Sequence, residues 1–243
     1  MKVIVVENAT EGGKVAADIM EKVIRENPQG TIGLATGSSP IPMYKELARR
    51  CKEENLDFSG IHSVNLDEYV GLDGSHEQSY RYFMDTNLFN HVNIDKKNTF
   101  VPCGKGDVQK NLDEFNKVLD ESDVKIQVLG IGPDGHIAFN EPHTKLYDKA
   151  HLEQLDPSTI EANSRFFESK DEVPKTAFTQ GMGNIMRAEK LLMIVGGNKD
   201  EAMKKVLLDE MIDPMCPATY LRMHRDATII IEKALADRIG YKG

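Results

Sequence analysis

The chain has 243 residues and a formal net charge of -9 at pH 7, with 28% charged and 40% hydrophobic residues. No apolar run approaches the roughly 18 residues of a membrane span and the N-terminus lacks a secretory signal, so we expect a cytoplasmic protein without a membrane partner. The acidic balance, with no basic run, argues against nucleic acid as a partner, because phosphate backbones attract clustered lysine and arginine. The cysteines, Cys51, Cys103 and Cys216, lie far apart without CxxC spacing, which predicts neither a disulfide nor a zinc knuckle.

The first half of the chain alternates short β-branched runs with longer segments whose apolar residues recur at helical spacing. This pattern predicts strands at residues 3–6, 31–36, 63–66 and 99–102, and helices at 10–27, 41–54, 79–89 and 107–119. A further alternating run predicts a strand at 124–129. Such alternation is typical of a parallel sheet with a helix between successive strands.

A loop rich in glycine and hydroxyl groups follows the second predicted strand: Thr36, Gly37, Ser38 and Ser39, with Pro40 next. Serine before proline indicates a helix start, because the hydroxyl caps free amides and proline fits the first turn. A helix N-terminus also offers N–H donors and a favourable dipole to an anion. The loop is therefore either a capped turn or a phosphate site.

Two acids, Asp67 and Glu68, follow the third predicted strand. Taken alone, such a pair is usually a solvated loop or a helix cap. The carboxyl ends of parallel strands meet at one edge of the sheet, where ligands bind in open α/β folds. We therefore expect Asp67 at the same edge as the Thr36 loop.

The densest chemistry of the chain lies at residues 130–142, directly after the strand at 124–129. Glycines and a proline allow tight turns there, and Asp134, His136 and Glu141 stand between them. This places a titratable imidazole among carboxylates at the expected binding edge; the alternative is a connecting loop with a hydrogen-bonded histidine. The glycine spacing is only a weak match to a dinucleotide fingerprint, and a Walker A motif is absent.

The last third of the chain is less regular. Residues 143–164 are polar and rich in turn formers, and no element is assigned to them. Beyond them the pattern predicts a helix at 177–187, strands at 190–195 and 228–231, and a final helix. Asn198, with Glu201 three residues later, resembles a helix cap, so Lys199 is expected to open a helix; an ordinary surface lysine is the alternative. Together the elements predict one α/β domain over residues 1–243, a Rossmann-like three-layer α/β/α fold with a mostly parallel central sheet.

Several segments carry a resemblance to the glucosamine-6-phosphate deaminases, within the glucosamine/galactosamine-6-phosphate isomerase family. They lie in order at residues 34–40, 65–71, 130–142, 163–167 and 196–199, and the similarity extends from the first strand to about Ile231. The related 6-phosphogluconolactonases share a Gly-Pro-Asp-Gly-His loop but continue differently after His136.

The resemblance implies conversion of glucosamine 6-phosphate and water to fructose 6-phosphate and ammonia, with no metal or other cofactor. In that reading His136 moves the proton that opens the sugar ring, Asp134 and Glu141 orient it, and Asp67 is the base that moves the C2 proton to C1. The implied phosphate ligands are Thr36, Gly37, Ser38, Ser39, Arg165 and Lys199. Because an exposed aspartate is a weak base, we expect partial desolvation of Asp67 when substrate binds.

The sequence departs from the family at two places. Asp200 stands where alanine often follows the phosphate lysine, and is expected to face solvent. Residues 143–149 replace a Ser-, Arg- and Lys-rich segment of the hexameric, allosterically activated members, which predicts no activation by N-acetylglucosamine 6-phosphate; self-association stays open.

Two other functions remain as alternatives for this sequence: a sugar-lactone hydrolase and a sugar-phosphate sensor domain. Zinc binding by His136, Glu141 and His143 is disfavoured, because the signature of zinc nucleobase deaminases is missing.

Overall fold

The computed structural model describes residues 1–164, 167 and 169–243, without the side chains of 158, 159, 162, 163 and 170. Its strands are β1 (Lys2–Val6), β2 (Thr31–Leu34), β3 (His62–Asn65), β4 (Asp67–Tyr69), β5 (Thr99–Phe100), β6 (Val124–Leu129), β7 (His151–Gln154), β8 (Thr176–Thr179), β9 (Leu191–Val195) and β10 (Ala227–Glu232). Its α-helices are α1 (Ala9–Glu26), α2 (Ile41–Glu53), α3 (Tyr80–Met84), α4 (Val108–Glu121), α5 (Pro157–Ser164), α6 (Met182–Met186), α7 (Asp200–Leu207) and α8 (Lys233–Ile239). A π-helical turn, Asp85–Phe89, continues α3, and a 3-10 helix spans Pro217–Met223.

The central sheet has seven strands in the order β1-β10-β9-β6-β2-β3-β5, and all neighbours run parallel. Strand β9 is buried along its whole length, which explains its continuous apolar sequence, since both faces of a parallel sheet are covered. The predicted α/β fold with a mostly parallel central sheet is confirmed. No helix in the described ranges is both long and apolar enough to cross a bilayer.

The strand register places helices on opposite faces of this sheet. Val64 on β3 is paired through β2, β6 and β9 to Ala227 on β10, so side chains at these aligned positions point to one side. On that side Val64 packs against Phe115 of α4. Ile230, three residues after Ala227, points to the other side, where α1 approaches closely at Gly12. The sheet is therefore the middle layer.

The strand order changes direction between β6 and β2. From β2 the chain continues outward to β3 on one side, while β6 is followed on its other side by β9 and β10. Loops that leave the carboxyl ends of β2 and β6 therefore diverge and open a crevice, the usual ligand position in such sheets. The loops after β3 and β9 flank the same crevice.

A second sheet, which the sequence patterns did not predict, covers part of this edge. It is antiparallel, with the order β4-β8-β7. An acid pair taken alone is usually a solvated loop or a helix cap, but here Asp67–Tyr69 forms β4. The helix predicted at 177–187 is also wrong in its first half: β8 is a strand, and only Met182–Met186 is helical. Ala177 and Phe178 are fully buried between two partner strands, and such pairing overrides local propensity.

Candidate active site

The centre of the site is an imidazole held by two carboxylates. Nδ1 of His136 lies 2.8 Å from Oδ1 of Asp134 and 3.4 Å from Oε2 of Glu141. Oδ1 of Asp134 also accepts a hydrogen bond from the backbone N–H of His136, at 3.1 Å. The His136 side chain is only 20% exposed. The loop therefore holds Nδ1 toward the two acids, and Nε2 is the ring nitrogen that these ion pairs do not engage.

The three groups shift each other's titration. Burial by itself lowers the pKa of His136, but its bonds to Asp134 and Glu141 and their charges raise that pKa to about 9. Burial likewise raises the pKa of Asp134, yet the hydrogen bond and charge of His136 lower it to about 2. At neutral pH the pair is therefore an imidazolium and a carboxylate, as expected when opposite charges are in contact.

Two glycines allow this loop to pack closely. A Cβ at Gly132 would overlap the ring of His136, so the ring lies directly against the Gly132 backbone. Gly135 has φ +93, and a Cβ there would overlap the sulfur of Cys216. The backbone N–H of Ala218 donates to the carbonyl of Gly135 at 2.9 Å, so the 3-10 helix supports the loop from behind. Larger residues at either position would displace His136 or its support.

The second sheet ties down the far end of the same loop. Ala138 adopts φ +54, a left-handed conformation that is uncommon outside glycine and persists only where neighbours enforce it. The backbone N–H of Phe139 donates to Oγ1 of Thr179 at 3.1 Å, and Nδ2 of Asn140 donates to the carbonyl of Gln180 at 2.7 Å. The end of β8 therefore holds the segment between His136 and Glu141.

Asp67 is a buried acid at the same site. Its residue is 7% exposed, and it pairs with Thr179 across the second sheet. Burial raises its pKa, the negative charge of Glu68 raises it further, and the positive charge of His136 partly offsets both, giving about 8. The expectation that desolvation waits for substrate is therefore wrong, because the fold itself already removes this carboxyl from water. A carboxyl with such a pKa is a far better base than an exposed one.

The loop Thr36–Ser39 lies at the N-terminus of α2, as predicted, on the strand next to β6. The predicted serine cap is wrong: Pro40 occupies the N-cap position and no side chain caps the helix. Gly37 has φ +89, which favours glycine, and Gly37 and Ser38 are exposed. The loop therefore presents its backbone and hydroxyl groups at the crevice.

Lys199 lies at the end of the loop after β9, as the N-cap residue of α7. The cap predicted at Asn198 is wrong, because the helix begins at Asp200 and no side chain caps it. Asp200 does not simply face solvent: Arg238 donates to its Oδ1 at 2.8 Å and to the carbonyl of Gly197 at 2.7 Å. The acid beside Lys199 is thus neutralised by an arginine. Arg165 lies outside the described residues.

A metal ion is a geometric alternative at the imidazole. Among the described residues, one ligand atom from each of Asp134, His136 and Glu141 lies within 4.8 Å of the others. His143 does not join this group; its Nδ1 accepts from the backbone N–H of Lys145 at 3.1 Å. The predicted absence of a metal stays a prediction, since these donors suit either an ion or the imidazolium already described.

Sequence patterns missed several residues that build the site. Thr179 and Gln180 fell within a predicted helix, and no local signal marks them as supports for a loop forty residues away. Gly132 differs from these two residues, because a glycine four residues before a candidate histidine is a local signal that the histidine ring can approach the backbone closely. Glu68 was expected as a solvated acid or a helix cap; it is buried, and it accepts hydrogen bonds from the backbone N–H groups of Tyr80 and Arg81 at the start of α3.

Fold and site together define a class: a Rossmann-like α/β protein with an acid–base centre at the carboxyl edge of its sheet. The model of the family described as glucosamine-6-phosphate isomerases/6-phosphogluconolactonase matches residues 6–230. The chain therefore belongs to this family, and the resemblance seen in its motifs is confirmed.

Individual relatives refine this placement. The chain is 48% identical over 241 residues to a glucosamine-6-phosphate deaminase of Clostridium perfringens strain 13, covering 97% of this chain and 98% of the relative. It is 44% identical to the deaminase of Thermoanaerobacter sp. strain X514, covering 98% and 95%. Among solved structures, a monomeric glucosamine-6-phosphate deaminase matches with a TM-score of 0.94 and 37% identity, covering 98% of this chain and 99% of that one.

A more distant structure shares the fold alone. The 6-phosphogluconolactonase of Thermotoga maritima matches with a TM-score of 0.75 and 20% identity, covering 96% of this chain and 99% of that one.

Proposed function

We propose that this chain converts glucosamine 6-phosphate and water to fructose 6-phosphate and ammonia. The observation that carries the proposal is the pairing of two different acid–base groups at one edge: an imidazole held by Asp134 and Glu141, and the buried carboxyl of Asp67. An aldose–ketose isomerisation needs both, because ring opening and carbon deprotonation each require a positioned proton acceptor. The full-length similarity to curated deaminases supports the same reaction.

Ring opening is assigned to His136. Its Nδ1 faces the acids, so Nε2 is the nitrogen that exchanges a proton with the sugar. As the imidazolium it gives its Nε2 proton to the ring oxygen as the C1–O5 bond breaks, and it takes the proton of the anomeric hydroxyl as the aldehyde forms. Asp134 and Glu141 orient the ring and stabilise its charged form, which is the role of the third group in such acid–base sets.

The carbon proton transfer is assigned to Asp67. As a carboxylate it removes the C2 proton of the open aldehyde, giving an enolamine, and returns the proton to C1. The resulting C2 imine takes up water and releases ammonia, which leaves the ketone of fructose 6-phosphate. Burial makes Asp67 basic enough for this step near neutral pH.

The phosphate is assigned to the loop Thr36–Ser39, with Lys199 and Arg165. Backbone N–H groups and the dipole at the start of α2 favour an anion, and the hydroxyls of Thr36, Ser38 and Ser39 add donors. Lysine supplies a point charge and arginine a planar fork, both suited to a dianion. The arginine on Asp200 keeps that acid from repelling the phosphate.

The deciding experiment measures ammonia and fructose 6-phosphate formed from glucosamine 6-phosphate in chelator-treated buffer. We expect equimolar products from the wild type and their loss in His136→Gln and Asp67→Asn. Tight binding of the substrate without turnover would instead support a sensor, and hydrolysis of 6-phosphogluconolactone a lactonase. With N-acetylglucosamine 6-phosphate added, the saturation curve is expected to stay hyperbolic and unchanged; activation would contradict the prediction drawn from residues 143–149.

A further inference from the structure

A second buried carboxylate lies beside the proposed base and has no part in the mechanism above. Glu68 follows Asp67 on β4 and is only 1% exposed. Successive residues of a strand point to opposite faces, so Glu68 turns away from the crevice and toward the start of α3. A charged residue in such a position is uncommon unless its partners compensate the burial.

Four donors compensate Glu68. Its Oε1 accepts from the backbone N–H of Tyr69 at 2.9 Å and of Tyr80 at 3.0 Å. Its Oε2 accepts from the hydroxyl of Ser79 at 2.7 Å and the backbone N–H of Arg81 at 3.1 Å. Three of these donors are amides, which cannot turn round to accept a proton from a neutral acid. Burial raises the pKa of Glu68, and each of these four hydrogen bonds opposes that rise by favouring the ionised carboxylate.

This fixed charge acts on the group next to it. Glu68 opposes ionisation of Asp67, whereas His136 favours it, and the raised pKa of Asp67 reflects burial first and Glu68 second. Tyr80 also acts on this pair, and it stays neutral because burial raises its pKa. The Tyr80 ring stacks on Phe139 of the loop after β6, with ring centroids 6.2 Å apart. The hydrogen bond from the Tyr80 N–H to Glu68 therefore links β4, which also carries Asp67, to that loop.

We propose that Glu68 is a positioning residue that acts through Asp67: its buried carboxylate, held at the start of α3, keeps the neighbouring carboxyl a strong base for the carbon proton transfer. The proposal rests on the function proposed above. A purely structural role as a helix cap is the competing explanation. The two differ in one respect, because a cap needs only hydrogen bonds whereas the proposed role needs the charge.

The test compares Glu68→Gln with Ser79→Ala over about pH 5 to about pH 10 in the ammonia assay. Each variant weakens the hydrogen bonding of Glu68 and should lower Tm, but only Glu68→Gln removes the charge. We expect its acidic limb of kcat/KM to move down by about one pH unit and its plateau kcat to fall about tenfold, with KM little changed. Ser79→Ala should keep the wild-type limb. Ionisations of the substrate are common to all variants and cancel in the comparison.

Contrary outcomes are distinct. A Glu68→Gln enzyme with lower Tm but wild-type limb and plateau would show that Glu68 is only a cap. If Glu68→Gln does not fold, Glu68→Asp decides, because it keeps the charge: a wild-type limb at lower Tm supports the proposal, and a limb moved to lower pH overturns it. Absence of turnover in the wild type would reject the proposed function itself, and this inference with it.

Discussion

At the scale of single residues, the position of His136 depends on the absence of a side chain at Gly132. The ring lies against Gly132 at a distance that a Cβ would not allow. Asp134 and Glu141 then hold Nδ1 from the other side. The imidazole is thus fixed by one close backbone approach and two charges, and the ring has little freedom to move without losing its acids.

Gly132→Ala tests this packing. The new methyl would push the ring away from its acids, and a misplacement of about 1 Å can cost about a hundredfold in rate. We expect kcat to fall by about tenfold to a hundredfold while the protein stays folded. Gly130→Ala is the matched control, because a Cβ at Gly130 meets nothing within 4 Å. Equal kcat in the two variants would refute the role of Gly132.

At the scale of elements, the second sheet supports the loop after β6, which carries the proposed ring-opening group. Strand β8 pairs with the strand of Asp67, and Thr179 and the next residue, Gln180, accept hydrogen bonds from the loop after β6. One short strand therefore sets the position of the proposed base and of the proposed ring-opening group relative to each other. This link joins elements that are far apart in sequence.

Thr179→Val removes one of these supports at nearly constant volume. The buried N–H of Phe139 loses its acceptor, and an unsatisfied buried donor costs about 1–3 kcal/mol. We expect unfolding free energy to fall by that amount and kcat to fall several-fold. Thr176→Val, at the other end of β8, should change unfolding free energy by less than about 0.5 kcal/mol. Chemical denaturation and the ammonia assay measure both effects; a similar loss in the two variants would contradict the proposed support.

The loop after β9 is held in a comparable way from α8. Arg238 bonds to Gly197 and Asp200 on either side of Lys199. In Arg238→Gln we expect KM to rise about threefold to tenfold with kcat nearly unchanged, since a loss of 1.4 kcal/mol in binding is tenfold. Arg225→Gln, at another exposed arginine, is the control. A lower kcat with unchanged KM would show that the loop serves the chemical step instead of the phosphate.

At the scale of the whole molecule, the fold bears a cost for keeping Asp67 buried. A carboxyl whose pKa is raised from its ordinary 3.8 to about 8 is held in the protonated form more tightly by the folded chain than by the unfolded one. The contribution of Asp67 to the free energy of unfolding is therefore largest below about pH 4, and it is lost as the pH rises toward about pH 8. Asparagine has no proton to lose.

Asp67→Asn is therefore expected to be inactive yet more stable at alkaline pH. Its Tm advantage over the wild type should be larger at about pH 8.5 than at about pH 5, by at least about 2–4 °C if about 1 kcal/mol is recovered in a chain of this size. Thermal unfolding at the two pH values measures the difference. An advantage that does not grow with pH would show that Asp67 is not held protonated by the fold. Such a result would also weaken its assignment as the base.

Most of the central sheet was predictable from the sequence. Continuous β-branched runs such as β9 are buried on both faces, and that requirement leaves a local pattern. The motif segments likewise indicated the family, and the edge where Asp67, His136 and the Thr36 loop meet followed from parallel topology. The second sheet was not predictable, because β4 and β8 are three- and four-residue strands whose pairing depends on partners distant in the chain.

The sequence by itself therefore determined which groups are available: an imidazole among acids, an acid pair after β3, and a hydroxyl-rich loop before α2. Only the tertiary structure decided their chemical state. Burial of Asp67, the charge of Glu68 beside it and the approach of Gly132 to His136 arise from contacts between separate elements. Because pKa values depend on solvent exclusion and on neighbouring charges in space, no local pattern contains them.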